Sequence, residues 1–172
     1  MKIAMSILIR SMSAALLLTV GATGWASDAP RDNATLAARS EAVFGKQPGQ
    51  SFDAQAVKPA AAGPRTETVT VTLKPGKGAE VQAELDAGQG LVFQWTASAD
   101  VAVDLHGERT GSQSEYTSYD IEGAQREGAG TFVAPFAGTH GWFWKNKGQQ
   151  PVTVTVTITG FHKRLVRHGG QP

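Results

Sequence analysis

Two histidines and one glutamate are the residues of this sequence best suited to binding a metal ion. His106 and Glu108 lie two positions apart, so in a β-strand their side chains project from the same face. His140 opens a later, aromatic strand. If the two strands are neighbours, the three side chains would form a site of two nitrogens and one oxygen, which suits zinc, copper(II) or another divalent transition metal. His106→Ala and His140→Ala would then each weaken metal binding. The alternative is that Glu108 pairs with a basic side chain and both histidines only form hydrogen bonds.

Four aromatic side chains are candidates for binding an organic ligand. Trp142 and Trp144 alternate along one strand, so their indoles share a face with His140. If they are exposed, the rings could stack against sugars, which would make the chain a carbohydrate-binding module. The alternative is that the indoles belong to the hydrophobic core, where large aromatic side chains usually lie. The four candidates are Tyr116, Tyr119, Trp142 and Trp144.

The composition excludes several other functions. The chain has 172 residues and a formal net charge of +1, which gives no indication of a nucleic-acid partner. It contains no cysteine, which excludes disulfides, thiolate metal sites and a cysteine nucleophile. The sequence has no nucleophile elbow, no zincin motif and no phosphate-binding glycine loop ahead of a helix. We therefore predict that the protein is not an enzyme.

The N-terminal segment, residues 1–26, is typical of a signal peptide or a membrane anchor. Lys2 and Arg10 precede an apolar run, and the small residues that follow allow cleavage after Ala22 or, as we favour, after Ala26. The uncleaved alternative would hold the chain in the inner membrane. Residues 27–65 are predicted to form a short helix, capped by Asp32 or Asn33, and a flexible linker rich in proline and alanine.

Residues 66–161 show the alternation of apolar and polar side chains that indicates β-strands. About eight short strands separated by turn residues predict an antiparallel β-sandwich or jelly roll. The first and last strands are threonine–valine ribbons that could pair with each other. Residues 162–172 are basic and glycine-ended and are predicted to be a frayed tail. The predicted strands lie near residues 66–73, 79–85, 91–95, 101–108, 115–121, 131–136, 139–146 and 152–159.

Part of this pattern resembles a known group of proteins. The segments that carry the resemblance are Thr131-Phe132-Val133-Ala134-Pro135-Phe136-Ala137-Gly138, His140-Gly141-Trp142-Phe143-Trp144-Lys145-Asn146, Pro151-Val152-Thr153-Val154-Thr155, and upstream His106-Gly107-Glu108 and Tyr116 to Tyr119. They are similar to bacterial envelope proteins of the "transmembrane anchor protein" family. The aromatic strand that ends in Asn146 also resembles, more distantly, the GOLD-type β-sandwich domains of membrane trafficking proteins. The resemblance implies a domain outside the cytoplasm on an N-terminal membrane segment, with no established chemistry.

These observations lead to one functional prediction and two alternatives. We predict an exported, non-enzymatic binding or accessory module of the cell envelope, located in the periplasm. It would be soluble after cleavage or associated with the inner membrane through its N-terminus, and its partner would be another envelope protein. The alternatives are a periplasmic divalent-metal-binding protein and a carbohydrate-binding module.

Overall fold

The computed structural model describes residues 31–112 and 115–170, and the predicted signal or anchor segment lies outside them. The chain divides into two compact units between Phe52 and Asp53. Among the described residues, no helix is both long enough and apolar enough to cross a membrane.

The first unit contains helix α1 (Asn33–Phe44). Asp32 is its N-cap, and its carboxylate accepts a hydrogen bond of 2.7 Å from the backbone N–H of Thr35. The helix ends at Gly45, whose φ of 73° lies in the left-handed region that glycine tolerates. Val43 and Phe44 are exposed at its last turn.

The second unit is an antiparallel sheet of seven strands, preceded by a short 3₁₀ turn at Ala54–Ala56. The prediction of an all-β antiparallel fold is confirmed. The strand order is β1-β6-β3-β5-β2-β7, and β4 pairs with β3 off this path. The sheet is curled, and Gly170, which follows β7, lies close to Val71 of β1. The strands are β1 (Arg65–Leu73), β2 (Gly78–Leu85), β3 (Gly90–Arg109), β4 (Tyr116–Val133), β5 (Gly138–Lys145), β6 (Val152–Gly160) and β7 (Leu165–Gly169).

Two predicted strand pairs are in fact single long strands. The predicted strands at residues 91–95 and 101–108 are one strand, β3, which pairs with β6 in its first half and with β5 in its second half. The predicted strands at residues 115–121 and 131–136 are likewise joined in β4. Register shifts between β3 and β4, the first between Thr96 and Val101, show that the chain bends at irregularities of the ladder. Small and polar residues suit both bulges and turns, so their presence did not separate the two possibilities.

The C-terminal tail is also more ordered than predicted. Residues 165–169 form β7, which pairs with β2, so this part of the predicted tail belongs to the sheet. Lys163 and Arg164 contact carboxylates of β2 and the turn after it, at 2.6 Å to Asp86 and 2.7 Å to Glu84. Backbone hydrogen bonding to the edge of β2 stabilises this strand without any strong alternation in its side chains.

The threonine–valine ribbons do pair, as β1 and β6. On the inner side, Val71 lies opposite Val154, and both are buried. On the outer side, threonine hydroxyls of the two strands form three pairs, with Oγ1–Oγ1 distances of 2.8 to 3.0 Å. Burial of one such valine contributes about 1.5 kcal/mol or more, so the inner row is the main stabilising element of this pair.

We predict that Gly141→Ala destabilises the domain by about 2 kcal/mol or more, because a Cβ at this position would overlap the backbone of Val81 and Gln82 in β2. Urea unfolding followed by tryptophan fluorescence measures the effect. The matched control is Gly123→Ala in β4, where a Cβ meets nothing within 4 Å and the change should stay within about 0.5 kcal/mol. Equal effects of the two substitutions would contradict the β2–β5 register.

Candidate functional site

A histidine and two glutamates come together on the outer face of the sheet. The imidazole of His106 and the carboxylates of Glu80 and Glu108 each offer one atom, and these three atoms lie within 4.8 Å of one another. Nε2 of His106 is 2.7 Å from Oε1 of Glu80. Asp104, Tyr116 and Phe143 complete the lining of this depression, whose volume is about 240 Å³. These are ligand types that divalent transition metals accept.

The strand register explains how His106 reaches Glu80 across an intervening strand. His106 of β3 and Gln82 of β2 are both paired with Gly141 of β5. Because Gly141 has no side chain, the side chains of His106 and Gln82 meet across β5, with their Nε2 atoms 3.4 Å apart. The ring therefore extends over β5 to the glutamate two residues before Gln82. A Cβ at position 141 would collide with the backbone of Val81 and Gln82 in β2.

Both ring nitrogens of His106 have acceptors. Nδ1 lies 3.3 Å from the backbone carbonyl of Asp104, and Nε2 contacts Glu80. The hydrogen bond to Glu80 is the main cause that raises the pKa of His106, with the Asp104 carbonyl and the two carboxylate charges acting in the same direction against burial. Nε2 of His106 is also 3.4 Å from Nε2 of Gln82, and in this contact the histidine nitrogen would have to accept a hydrogen bond from the amide. The shorter, charge-assisted hydrogen bond to Glu80 is the stronger of the two.

The site has an excess of negative charge. Three carboxylates, those of Glu80, Asp104 and Glu108, surround one imidazole. Among residues 31–112 and 115–170, no lysine or arginine forms an ion pair with any of them. Oδ2 of Asp104 accepts a hydrogen bond of 3.1 Å from Ser118, whereas its buried Oδ1 has no hydrogen-bond partner. A cation bound here would reduce the excess of negative charge.

His140 does not join this cluster, which corrects the predicted set of ligands. The two strands are neighbours, but His140 is paired with Gly107 and therefore lies on the face opposite His106 and Glu108. Its Nε2–H donates to the carbonyl of Phe136 at 3.0 Å, and its Nδ1 accepts from the hydroxyl of Tyr119 at 3.0 Å. Both ring nitrogens are thus engaged in the interior. Burial, the largest cause, lowers the pKa of His140 and keeps the ring neutral.

Glu80 is the third member of the cluster, in the place predicted for His140. The signal for it was the polar face of β2, where Glu80 and Gln82 alternate with the apolar Val81 and Ala83. What could not be read from the sequence is that this face lies one strand beyond the aromatic strand. The resulting set has one nitrogen and two oxygens instead of two nitrogens and one oxygen. His168 of β7 is paired with Glu80 but is not among the clustered atoms.

The aromatic candidates are divided between the core and the surface. Trp142 and Trp144 are 2% and 0% exposed, so they belong to the core and provide no open platform for stacking a sugar. The rings of Tyr119 and Phe132 pack together near His140, with centroids 5.0 Å apart. Tyr116 is 63% exposed, and its ring meets His106 edge-on at 5.5 Å between centroids. Only Tyr116 is therefore part of the outer site.

Comparisons with known proteins find no family for this chain and only distant structural likenesses. The sequence matches no protein-family model, and it matches no curated protein. Fifteen solved chains match it in structure. The mitogen of Yersinia pseudotuberculosis is similar with a TM-score of 0.42 and 14% identity, over 59% of this chain and 89% of the mitogen. An oxalate oxidase in complex with the substrate analogue glycolate is similar with a TM-score of 0.32 and 17% identity, over 59% of this chain and 45% of the oxidase.

We predict that His140 makes the domain less stable in acid. Because its folded pKa is lowered, the unfolded chain binds a proton below its ordinary pKa of 6.5 that the folded chain does not bind. The free energy of unfolding should therefore fall as the pH falls from 7 toward 5, with a slope that approaches about 1.4 kcal/mol per pH unit. Urea unfolding of the wild type and of His140→Gln, whose amide can still bridge the same two partners, isolates this contribution.

The raised pKa of His106 has the opposite sign, since its contribution is present at low pH and is lost as the pH rises through the raised value. The His106 contribution is present in both proteins, so it cancels when the free energies of unfolding of wild type and His140→Gln are subtracted. Parallel curves of stability against pH for the two proteins would contradict the assignment. So would an NMR titration in which the His140 ring protonates at or above pH 6.5.

Proposed function

We propose that this chain is an exported binding protein of the cell envelope and that its ligand is a divalent transition metal, zinc or copper(II), held by Glu80, His106 and Glu108. The observation that carries the proposal is the convergence of one ring nitrogen and two carboxylate oxygens within 4.8 Å. Three protein ligands leave a coordination position for water or for an atom of another molecule.

The surroundings of His106 support its role as a ligand. Metal-binding imidazoles usually donate their second N–H to a carbonyl or carboxylate, which fixes the ring. Nδ1 of His106 has such an acceptor in the carbonyl of Asp104, so Nε2 is the nitrogen that would bind the metal. Zinc at this position would replace the proton that Nε2 shares with Glu80. The divalent charge would also balance the excess of carboxylates.

Export and attachment rest on the sequence. Lys2, Arg10 and the apolar run that follows support an export signal, and the basic-then-apolar order also suits an inner-membrane anchor. An envelope protein would then be the partner that delivers or receives the ion. We propose binding without catalysis, because the sequence carries no zincin or nucleophile motif beside these ligands.

Calorimetric titration of the purified chain with zinc at pH 7.5 tests the proposal. We expect one ion per chain, and Glu80→Gln, His106→Gln and Glu108→Gln should each weaken binding at least about tenfold, because each removes a ligand atom. His140→Gln is the matched control and should bind as the wild type does. Absence of stoichiometric binding would refute the proposal. Loss in His140→Gln, with Glu80→Gln unaffected, would restore the ligand set predicted from the sequence.

Zinc binding should also depend on pH in a defined direction. The hydrogen bond with Glu80 raises the pKa of His106, and the proton on Nε2 must leave before the metal binds. Below that raised pKa, the affinity should fall by about tenfold per pH unit for the one proton released. Titrations in buffers of different ionisation enthalpy count the protons. Release of no proton at pH 6 would exclude His106 as a ligand.

A further inference from the structure

A second cavity lies on the opposite face of the same strand pair. Its volume is about 240 Å³, and it opens between β3, β4 and the aromatic strand β5. The apolar side chains that line it include Phe93 and Trp95 of β3 and Trp142 of β5. The rings of Phe93 and Trp142 contact each other with centroids 4.7 Å apart, and together they form an aromatic floor.

Strand β4 has few side chains beside this floor, where Phe93 is half-buried and Trp95 and Trp142 are 4% and 2% exposed, so Phe93 provides most of the accessible aromatic surface. Gly128 and Gly130 are the register partners of Trp95 and Phe93. A Cβ on Gly128 would collide with the indole nitrogen of Trp95, and one on Gly130 would approach the Phe93 ring to 3.2 Å. Glycine at both positions lets the backbone of β4 approach the rings while adding no side chain to fill the space beside them.

The rim of the cavity is acidic. Asp120 and Glu122 of β4 are the register partners of Leu105 and Val103, so they occupy the inner face, where a closed core would have apolar residues. Glu127 also lines the cavity. Within the described parts of the chain, no lysine, arginine or histidine forms an ion pair with these three carboxylates. No described residue that lines the cavity is basic.

We propose that this cavity binds a small organic cation with an alkylated ammonium group. An aromatic face attracts a cation through its quadrupole, and unpaired carboxylates at the rim add a field of the same sign. A bare metal ion would find no imidazole among these lining residues and would meet an apolar floor. A neutral sugar would leave the carboxylates without a counter-charge. An ammonium that carries methyl groups satisfies both the floor and the rim.

This site is independent of the proposed metal site. Val103 and Leu105 point to the cavity, whereas Asp104 and His106, which alternate with them, point to the outer face. Loss of binding at one site therefore leaves the other unaffected, and the two proposals can fail separately.

Titration of the full chain with choline, followed by tryptophan fluorescence and by the NMR signals of the indole N–H groups, tests the proposal. We expect saturable binding with shifts at Trp95 and Trp142. The uncharged choline analogue 3,3-dimethylbutan-1-ol, which has the same shape, should bind about tenfold more weakly or worse. Glu122→Gln should weaken choline binding by about tenfold. The matched control is Glu115→Gln, which removes the same charge outside the cavity lining and should have no effect.

Three results would overturn the proposal. Equal binding of choline and its uncharged analogue would show an apolar pocket without selectivity for charge. Equal weakening by Glu115→Gln and Glu122→Gln would show a general electrostatic effect. An absence of saturable shifts at the indole signals, in wild-type protein whose folding is confirmed by circular dichroism, would show that the cavity does not bind such cations.

Discussion

The pairing of β3 with three other strands is the constraint on which the rest of the domain depends. Its first half pairs with β6, its second half with β5, and β4 follows it along most of its length. The register of its ladder with β4 shifts between Thr96 and Val101, in the stretch where the other neighbour changes from β6 to β5, and strands bend at such irregularities. The inner side chains of both halves then contribute to one core, where Trp95 meets Trp144.

Strand β3 contributes side chains to both proposed sites, one on each face of the sheet. Because consecutive residues of a strand point to opposite faces, the segment from Val103 to Glu108 supplies both sites. Its outer residues bring a histidine and carboxylates together, and its inner residues form a wall of the aromatic cavity. Gly107 contributes to neither site, because the rings of His140 and Tyr119 occupy the space beside it on the inner face. The two sites thus share a backbone but not their side chains.

Three glycines shape the two proposed sites because they have no side chain. Gly141 clears the path from His106 to Glu80 on the outer face. Gly128 and Gly130 let β4 lie close to the aromatic floor on the inner face. In an otherwise β-branched and aromatic sheet, such positions lower the intrinsic stability of the strand. Their presence is consistent with close approach of neighbouring groups at these three positions.

The sequence by itself determined the class of fold, because alternation of apolar and polar side chains is a local property that burial on one face imposes on every strand. The pairing of the threonine–valine ribbons and the common face of His106 and Glu108 followed from the same rule. Only the tertiary structure decided that His140 lies on the other face and that Glu80 takes its place. The reason is register. A shift of one residue between neighbouring strands moves every side chain of a strand to the other face of the sheet, and the register is set by contacts between residues distant in the sequence. The bend in β3 and the pairing of β7 depend on the same long-range contacts.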